Sequence, residues 1–182
     1  VGENDQPTNI ILTDIPPEGV AENMAAGSVI ATLATTDADN ADTFTYTLVA
    51  GNGTNDADNG LVEIVGSQIK VKAGAVINYE TNPVLNLNVK VTDAGGLTYT
   101  KAFALDVTNV SEAQTITSGS TGSVAENAAT STVVYTAVAT DVDAGTNMVY
   151  SLTGTDKDLF NIDSSTGAVT LKASANYEAK SS

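Results

Sequence analysis

Carboxylates are the abundant chemically capable groups in this sequence. Of its 182 residues, 22 are Asp or Glu against seven Lys or Arg, giving a net charge of −15, and there is no His, Cys or Trp. The acids come in sets. Asn4-Asp5, Glu22, Asp37/Asp39, Glu80 and Asp93 fall in the first hundred residues, and Glu126, Asp141/Asp143 and Glu178 in the remainder. Each Asp-x-Asp follows an apolar alternating run, and side chains at i and i+2 share a face, so both carboxylates point the same way. Two such groups held about 4 Å apart repel by about 4 kcal/mol at an effective dielectric near 20, so a cluster of several calls for a cation. Hard oxygen donors converging from separate loops suit Ca²⁺, which takes 6–8 ligands in irregular geometry. Zn²⁺ would want His or Cys.

The same inventory excludes other chemistry. Without His or Cys the usual nucleophile–base arrangements are absent. Asp37/Asp39 as an acid–base pair for glycoside cleavage has no positioning shell, and the expectation is that the protein is not an enzyme. A nucleic acid or anionic membrane surface would be repelled. No run approaches the roughly 20 apolar residues of a membrane span, and the N-terminal VGENDQPTN has no signal-peptide character, so membrane insertion is not expected.

The elements that must position these acids show themselves through an internal repeat. Val20-Ala21-Glu22-Asn23 recurs as Val124-Ala125-Glu126-Asn127, TTDAD (35–39) as ATDVD (139–143), and YTL (46–48) as YSL (150–152), all at an offset of 104. The offset then slips to 100 between IKVKA (69–73) and VTLKA (169–173), and to 98 between the two NYE triplets at 78–80 and 176–178. Such length changes belong in surface loops. Within each copy, FTYTL (44–48), LNLNVKVT (85–92), TKAFALDVT (100–108), VVYTAVAT (133–140) and VTLKA alternate apolar with small polar residues, the pattern of half-buried antiparallel strands. Turn clusters rich in Gly, Asn and Asp separate them. The expected fold is all-β: tandem Greek-key β-sandwiches, with repeat 1 over 1–110 (including a linker at 1–7) and a truncated repeat 2 over 111–182. The second copy stops before the equivalents of the strands near 84–92 and 98–108. That implies that a parent chain continues, or that strands from another molecule complete the fold.

In their order, the Glu of AEN, the Asp-x-Asp after a long strand, NYE, an Asp before Gly-Gly and an acidic linker resemble a cadherin repeat, specifically the cadherin-like repeats of large secreted bacterial (RTX-type) adhesins. The resemblance covers all of the first copy and most of the second. It implies calcium at the junction between repeats, held by Glu22, Glu80, Asn109, Glu112, Asp141 and Asp143, with Asn78 and Asn127 as weaker participants. At the front edge, Asn4 and Asp5 with Asp37, Asp39 and Asp93 would form half of another junction, while Glu126 and Glu178 would serve a later one. The linker NVSEAQ (109–114) departs from the family's Asp-x-Asn-Asp-Asn-x-Pro, with Asn109 for the first Asp, Glu112 for a later one and no proline.

The function this implies is a calcium-stiffened extender of a bacterial cell-surface adhesin, extracellular, whose partners are adjacent repeats of the same polypeptide. The alternative is a Ca²⁺-dependent module binding extracellular polysaccharide or like repeats on another cell. Nine aromatic residues without tryptophan offer few stacking surfaces, and Tyr46/Tyr150 recur as packing residues do. The stretch GNGTNDADNG (51–60) fails EF-hand spacing and reads as a flexible loop. The sequons NGT (52–54) and NVS (109–111) carry little weight in an Asn- and Thr-rich chain.

Overall fold

In the computed structural model the described residues are 3–39 and 42–176, and they fall into two compact units, Val1–Val110 and Ser111–Ser182. Glu178, which the resemblance assigns to a later junction, lies outside the described residues, as does Tyr177 of the second NYE.

Unit 1 is a sandwich of two four-stranded sheets. Its strands are β1 (Asn9–Thr13), β2 (Val20–Ala21), β3 (Val29–Thr36), β4 (Thr45–Leu48), β5 (Val62–Val65), β6 (Gln68–Val71), β7 (Val84–Thr92) and β8 (Thr98–Thr108). One sheet has the order β1-β3-β6-β5 and the other β2-β8-β7-β4, so the chain changes sheet at every step from β1 to β5 and again from β6 to β7, the Greek-key route. All pairings are antiparallel except β2 with β8. The longest ladder, β7 with β8, runs from Val84↔Asp106 to Thr92↔Thr98. Alternation sets which face is inside: Leu85, Leu87, Val89 and Val91 of β7 are fully buried, as are Ile10, Ile30, Ile69 and Val71 from the facing sheet. Each such side chain contributes about 1.5–3 kcal/mol of transfer free energy. Lys101 of β8 ties the two sheets together, its Nζ donating to Asn9 Oδ1 and to the Ile10 carbonyl of β1, both at 2.9 Å, and standing 5.2 Å from the Phe103 ring centre.

Unit 2 contains β9 (Thr115–Ile116), β10 (Val133–Thr136), β11 (Ala139–Thr140), β12 (Phe160–Ile162) and β13 (Ala168–Leu171). They form a sheet of order β10-β13-β12 and a separate β9–β11 pair. The single strand read at 133–140 is therefore divided. Ala137 turns its N–H to the Gly167 carbonyl between the two halves, whereas β3, its counterpart, runs unbroken through eight residues with β1 and β6 along its flanks. Among the described residues, unit 2 has no second sheet over β10-β13-β12, and Val169 is its one buried apolar side chain.

The 51–60 stretch is held in place rather than flexible. The Asp56 carboxylate accepts from Gly51 N and Gly53 N at 2.8 and 2.7 Å, which lowers its pKa through those backbone donors, Gly51 first. Asn52 Oδ1 accepts from Thr54 N and Asn55 N. Asp58 then reaches across to β7, accepting from Asn82 Nδ2 and Asn86 N, both at 2.7 Å.

Candidate metal centres

The Asp-x-Asp turns have the same construction in both units. Asp37 Oδ1 accepts from Asp39 N at 3.0 Å, and Asp141 Oδ1 from Asp143 N at 2.9 Å. The second acid of each pair then grips the strand-entry segment: Asp39 Oδ2 accepts from Asp5 N at 2.7 Å, and Asp143 Oδ2 from Glu112 N at 2.9 Å. Asp141 also accepts from Gln114 Nε2 at 2.9 Å, and its pKa is lowered chiefly by the Asp143 N–H. These turns arise because an Asx carboxylate caps the backbone two residues on, a local motif independent of any metal.

In unit 1 the turn sits beside two further acids. Asp37, Asp42 and Asp93 each place a carboxylate oxygen within 4.8 Å of the others. Asp93, 6% exposed at the end of β7, is oriented by Leu97 N on Oδ1 (2.8 Å) and Asn4 Nδ2 on Oδ2 (3.0 Å). Asp42 Oδ1 accepts from Thr43 N and Ala94 N at 2.8 and 3.3 Å. What remains is informative: Asp37 Oδ2 and Asp42 Oδ2 are buried with no hydrogen-bond partner. Buried carboxylate oxygens left unsatisfied cost free energy unless a cation meets them. Among the described residues the one ion pair is Lys157–Asp158, so no basic side chain bridges this set. All-oxygen donors, several negative charges and two orphaned oxygens fit Ca²⁺.

At the opposite end of unit 1, Glu22 is 2% exposed and both of its oxygens are engaged. Oε2 accepts from Tyr79 N at 2.9 Å and Oε1 from Val110 N at 2.7 Å, so Glu22 fastens the NYE turn to the chain leaving β8. Exposed Glu80 accepts from Asn109 Nδ2 at 3.0 Å, and carboxylate oxygens of Glu22 and Glu80 lie within 4.8 Å of each other. Asn78 Oδ1 caps its own turn by accepting from Thr81 N and the Thr81 hydroxyl, which leaves it a structural role here. In unit 2, Glu112, Asp141 and Asp143 are half-buried around the second Asp-x-Asp turn, and Asp143 Oδ1 is buried without a partner. Glu126, the echo of Glu22, is exposed.

Two findings go beyond the sequence reading. Asp42 joins the front cluster, and it escaped notice because its counterpart at the repeat offset of 104 is Thr146. Its signal was proximity alone, three residues after Asp39. The asparagine of each VAEN also has a backbone task, since Asn23 and Asn127 both adopt φ of +58°, the left-handed region where Asn is tolerated better than most residues. Their N–H groups donate to the Ile77 and Ala175 carbonyls at matching places in the two units.

Residues 120–182 match the family model for the cadherin domain. Over 171 residues, 90% of the chain, the sequence is 29% identical to protocadherin Fat 4 of Mus musculus and 28% identical to that of Homo sapiens. The chain spans 3% of the length of each of these relatives. Among solved structures it is similar to human protocadherin-24 EC1-2, with a TM-score of 0.68 and 22% identity over 92% of this chain and 82% of that one. It is also similar to the protocadherin gammaB4 extracellular domain, with a TM-score of 0.59 and 22% identity over 97% of this chain and 29% of that one. Both of these curated relatives are animal protocadherins. Sheet order, strand pairing and these likenesses agree on the cadherin-type β-sandwich as the fold of this chain.

Proposed function

We propose that the chain is a calcium-stiffened spacer of an extracellular adhesion protein. In this reading, Ca²⁺ is held at the front of unit 1 by Asp37, Asp42 and Asp93, with Asp39, Asp5 and Asn4 shaping the turn. Two further acidic sets would take part, Glu22, Glu80 and Asn109 at the other end of unit 1 and Glu112, Asp141 and Asp143 around the second Asp-x-Asp turn of unit 2. Bound ions would relieve carboxylate repulsion and limit bending between successive repeats, letting a tandem array hold a distal binding domain away from a surface. The bacterial cell surface as its setting comes from the sequence resemblance, and the extracellular setting from the cadherin-type fold as well.

The observation that carries this is the pair of buried, unpartnered oxygens on Asp37 and Asp42 beside buried Asp93. Extracellular calcium modules work at dissociation constants of about 10⁻⁴–10⁻³ M, so such sites would be empty in a cytosol and fill outside. Calorimetric titration of Ca²⁺ into the chain, with an Asp37→Asn/Asp42→Asn double variant alongside, tests the site. Saturable heat in the parent and a lost site in the variant are expected. Small-angle scattering with and without chelator tests the stiffening, and an unchanged distribution of chain dimensions would sink that part of the proposal.

A further inference from the structure

The loop between β4 and β5 contains two Asn-Gly dipeptides, Asn52-Gly53 and Asn59-Gly60, neither of which takes part in the acidic clusters. An asparagine followed by glycine can close on itself. The glycine nitrogen attacks the asparagine Cγ, and glycine, lacking a Cβ, leaves that approach open. Where the reacting groups are held decides the rate, and the two dipeptides are held very differently.

At Asn52 each group meets a partner suited to the reaction. The amide oxygen Oδ1, which becomes an oxyanion when Cγ is attacked, accepts from Thr54 N at 2.9 Å and Asn55 N at 3.0 Å. The attacking group, Gly53 N–H, donates to Asp56 Oδ1 at 2.7 Å, which puts a carboxylate in place to take its proton. Asn52 and Gly53 are exposed, giving the departing ammonia and the water of hydrolysis free passage. At Asn59 the amide is committed elsewhere. Its Nδ2 donates to the Val49 carbonyl at 2.9 Å, its Oδ1 accepts from Asn88 N of β7 at 3.0 Å, and the residue opens a short 3₁₀ turn, Asn59–Leu61.

We infer that Asn52 is a site of self-catalysed deamidation, with Asp56 as its general base and the Thr54 and Asn55 N–H groups as its oxyanion hole. The bond from Gly53 N to Asn52 Cγ forms as Asp56 takes the proton from that nitrogen. The Cγ–Nδ2 bond then breaks, the proton passes to Nδ2, and ammonia departs to leave a succinimide. Water opens the ring at either carbonyl, giving aspartate or isoaspartate at position 52, with no oxidant or reductant involved. Either product adds a negative charge beside Asp56. Isoaspartate also lengthens the backbone by a methylene inside the segment that Asp56 fastens at Gly51 and Gly53.

The test incubates the intact chain at mildly alkaline pH, digests samples over several days and reads both Asn-Gly sites by mass spectrometry, with hydroxylamine cleavage reporting the succinimide. In the folded chain Asn52 is expected to convert at least about tenfold faster than Asn59. In guanidinium chloride, with every partner removed, Asn52 should slow, Asn59 should accelerate and the two rates should converge. Asp56→Asn, which keeps an acceptor oxygen and removes the base, should slow Asn52 in the folded chain by at least about tenfold. Equal conversion of the two sites in the folded chain, or an Asn52 that reacts faster unfolded than folded, would overturn the proposal without recourse to any variant. An unchanged or faster Asn52 in Asp56→Asn would overturn the role of the carboxylate as base.

Discussion

Ile10 and Ile116 stand at matching places in the two units, Ile10 opposite Thr35 of β3 and Ile116 opposite Ala139 of β11. Ile10 is fully buried and Ile116 is 67% exposed. The contrast recurs wherever the units are compared. Thr45–Leu48 form a strand and residues 149–152 do not, while Val149 is 80% exposed. The two tyrosines nevertheless keep their contacts: Tyr46 hydroxyl bonds Thr35 Oγ1 at 2.8 Å, and Tyr150 hydroxyl accepts from Ala139 N at 3.2 Å, at equivalent positions. Alternating sequence thus decides which face a side chain takes. Burial on that face depends on a second sheet, and in unit 1 β7 and β8 provide it.

Truncating the matched pair gives the largest expected difference. Ile10→Ala removes a fully enclosed side chain and should destabilise unit 1 by about 2–5 kcal/mol, whereas Ile116→Ala should change stability by no more than about 0.5 kcal/mol. Urea melts followed by amide exchange at β3 and at β11 separate the two units. Comparable losses in both would mean that Ile116 is covered in solution and that the contrast is false.

Next in size is the metal. Unit 1 has Asp42 where unit 2 has Thr146, whose hydroxyl donates to the Asp143 carbonyl at 3.2 Å. Asp42→Asn should weaken Ca²⁺ at the front cluster by at least about tenfold through the lost charge. Saturating Ca²⁺ at 100 times the dissociation constant adds about 2.7 kcal/mol of stability per site, so the variant's melting temperature should respond less to the ion than the parent's. Thr146→Asp should move unit 2 the other way and increase its calcium response. A front cluster indifferent to Asp42→Asn would leave the orphaned oxygens of Asp37 and Asp42 as a strained acidic turn and nothing more.

Strong alternation made β7 and β8 legible from sequence nearly to the residue, and repetition made the Asp-x-Asp turns and VAEN stand out. The same reliance on repetition hid Asp42, because a feature present in one copy is discarded when two copies are compared. Non-local bonds hid the order of the 51–60 loop: Asp58 is fixed by Asn82 and Asn86, 24 and 28 residues away, which a local reading of Gly, Asn and Asp as turn-formers cannot foresee. The break in 133–140 was equally invisible, since VVYTAVAT alternates throughout and at its interruption Ala137 bonds to Gly167 in the turn before β13.

The asparagine of VAEN separates backbone from ligand roles. At a φ of +58°, Asn23→Ala should cost about 1–2 kcal/mol in urea melts, while Asn23→Gly, free of the Cβ penalty, should cost far less. Asn127→Ala in unit 2 should show the same ordering. If Asn23→Gly instead abolished calcium binding while preserving stability, the side chain rather than the backbone would explain the repetition.

The smallest expected effect distinguishes the hairpins that join equivalent strands. Unit 1 turns from β5 to β6 through Gly66 and Ser67, with Gly66 at a φ of +62° and no carboxylate in the turn. Unit 2 turns from β12 to β13 on Asp163, whose Oδ1 accepts from the Ser165 hydroxyl at 2.7 Å and from Ser165 N and Thr166 N at 2.9 Å each. The Ser165 hydroxyl first, then those backbone donors, lower its pKa from 3.8 to about 2. A folded-state value below the unfolded one contributes stability above the unfolded pKa, and that contribution is lost as the pH falls through the folded value. Unit 2 should therefore weaken between about pH 4 and pH 2 through this turn, and Asp163→Asn should flatten that part of its profile. The readout is the difference in slope between parent and variant in amide exchange at β12 and β13, with the β5–β6 hairpin of the same molecule as the internal reference. Equal slopes would mean that the exposed turn is too well solvated for its hydrogen bonds to register in folding.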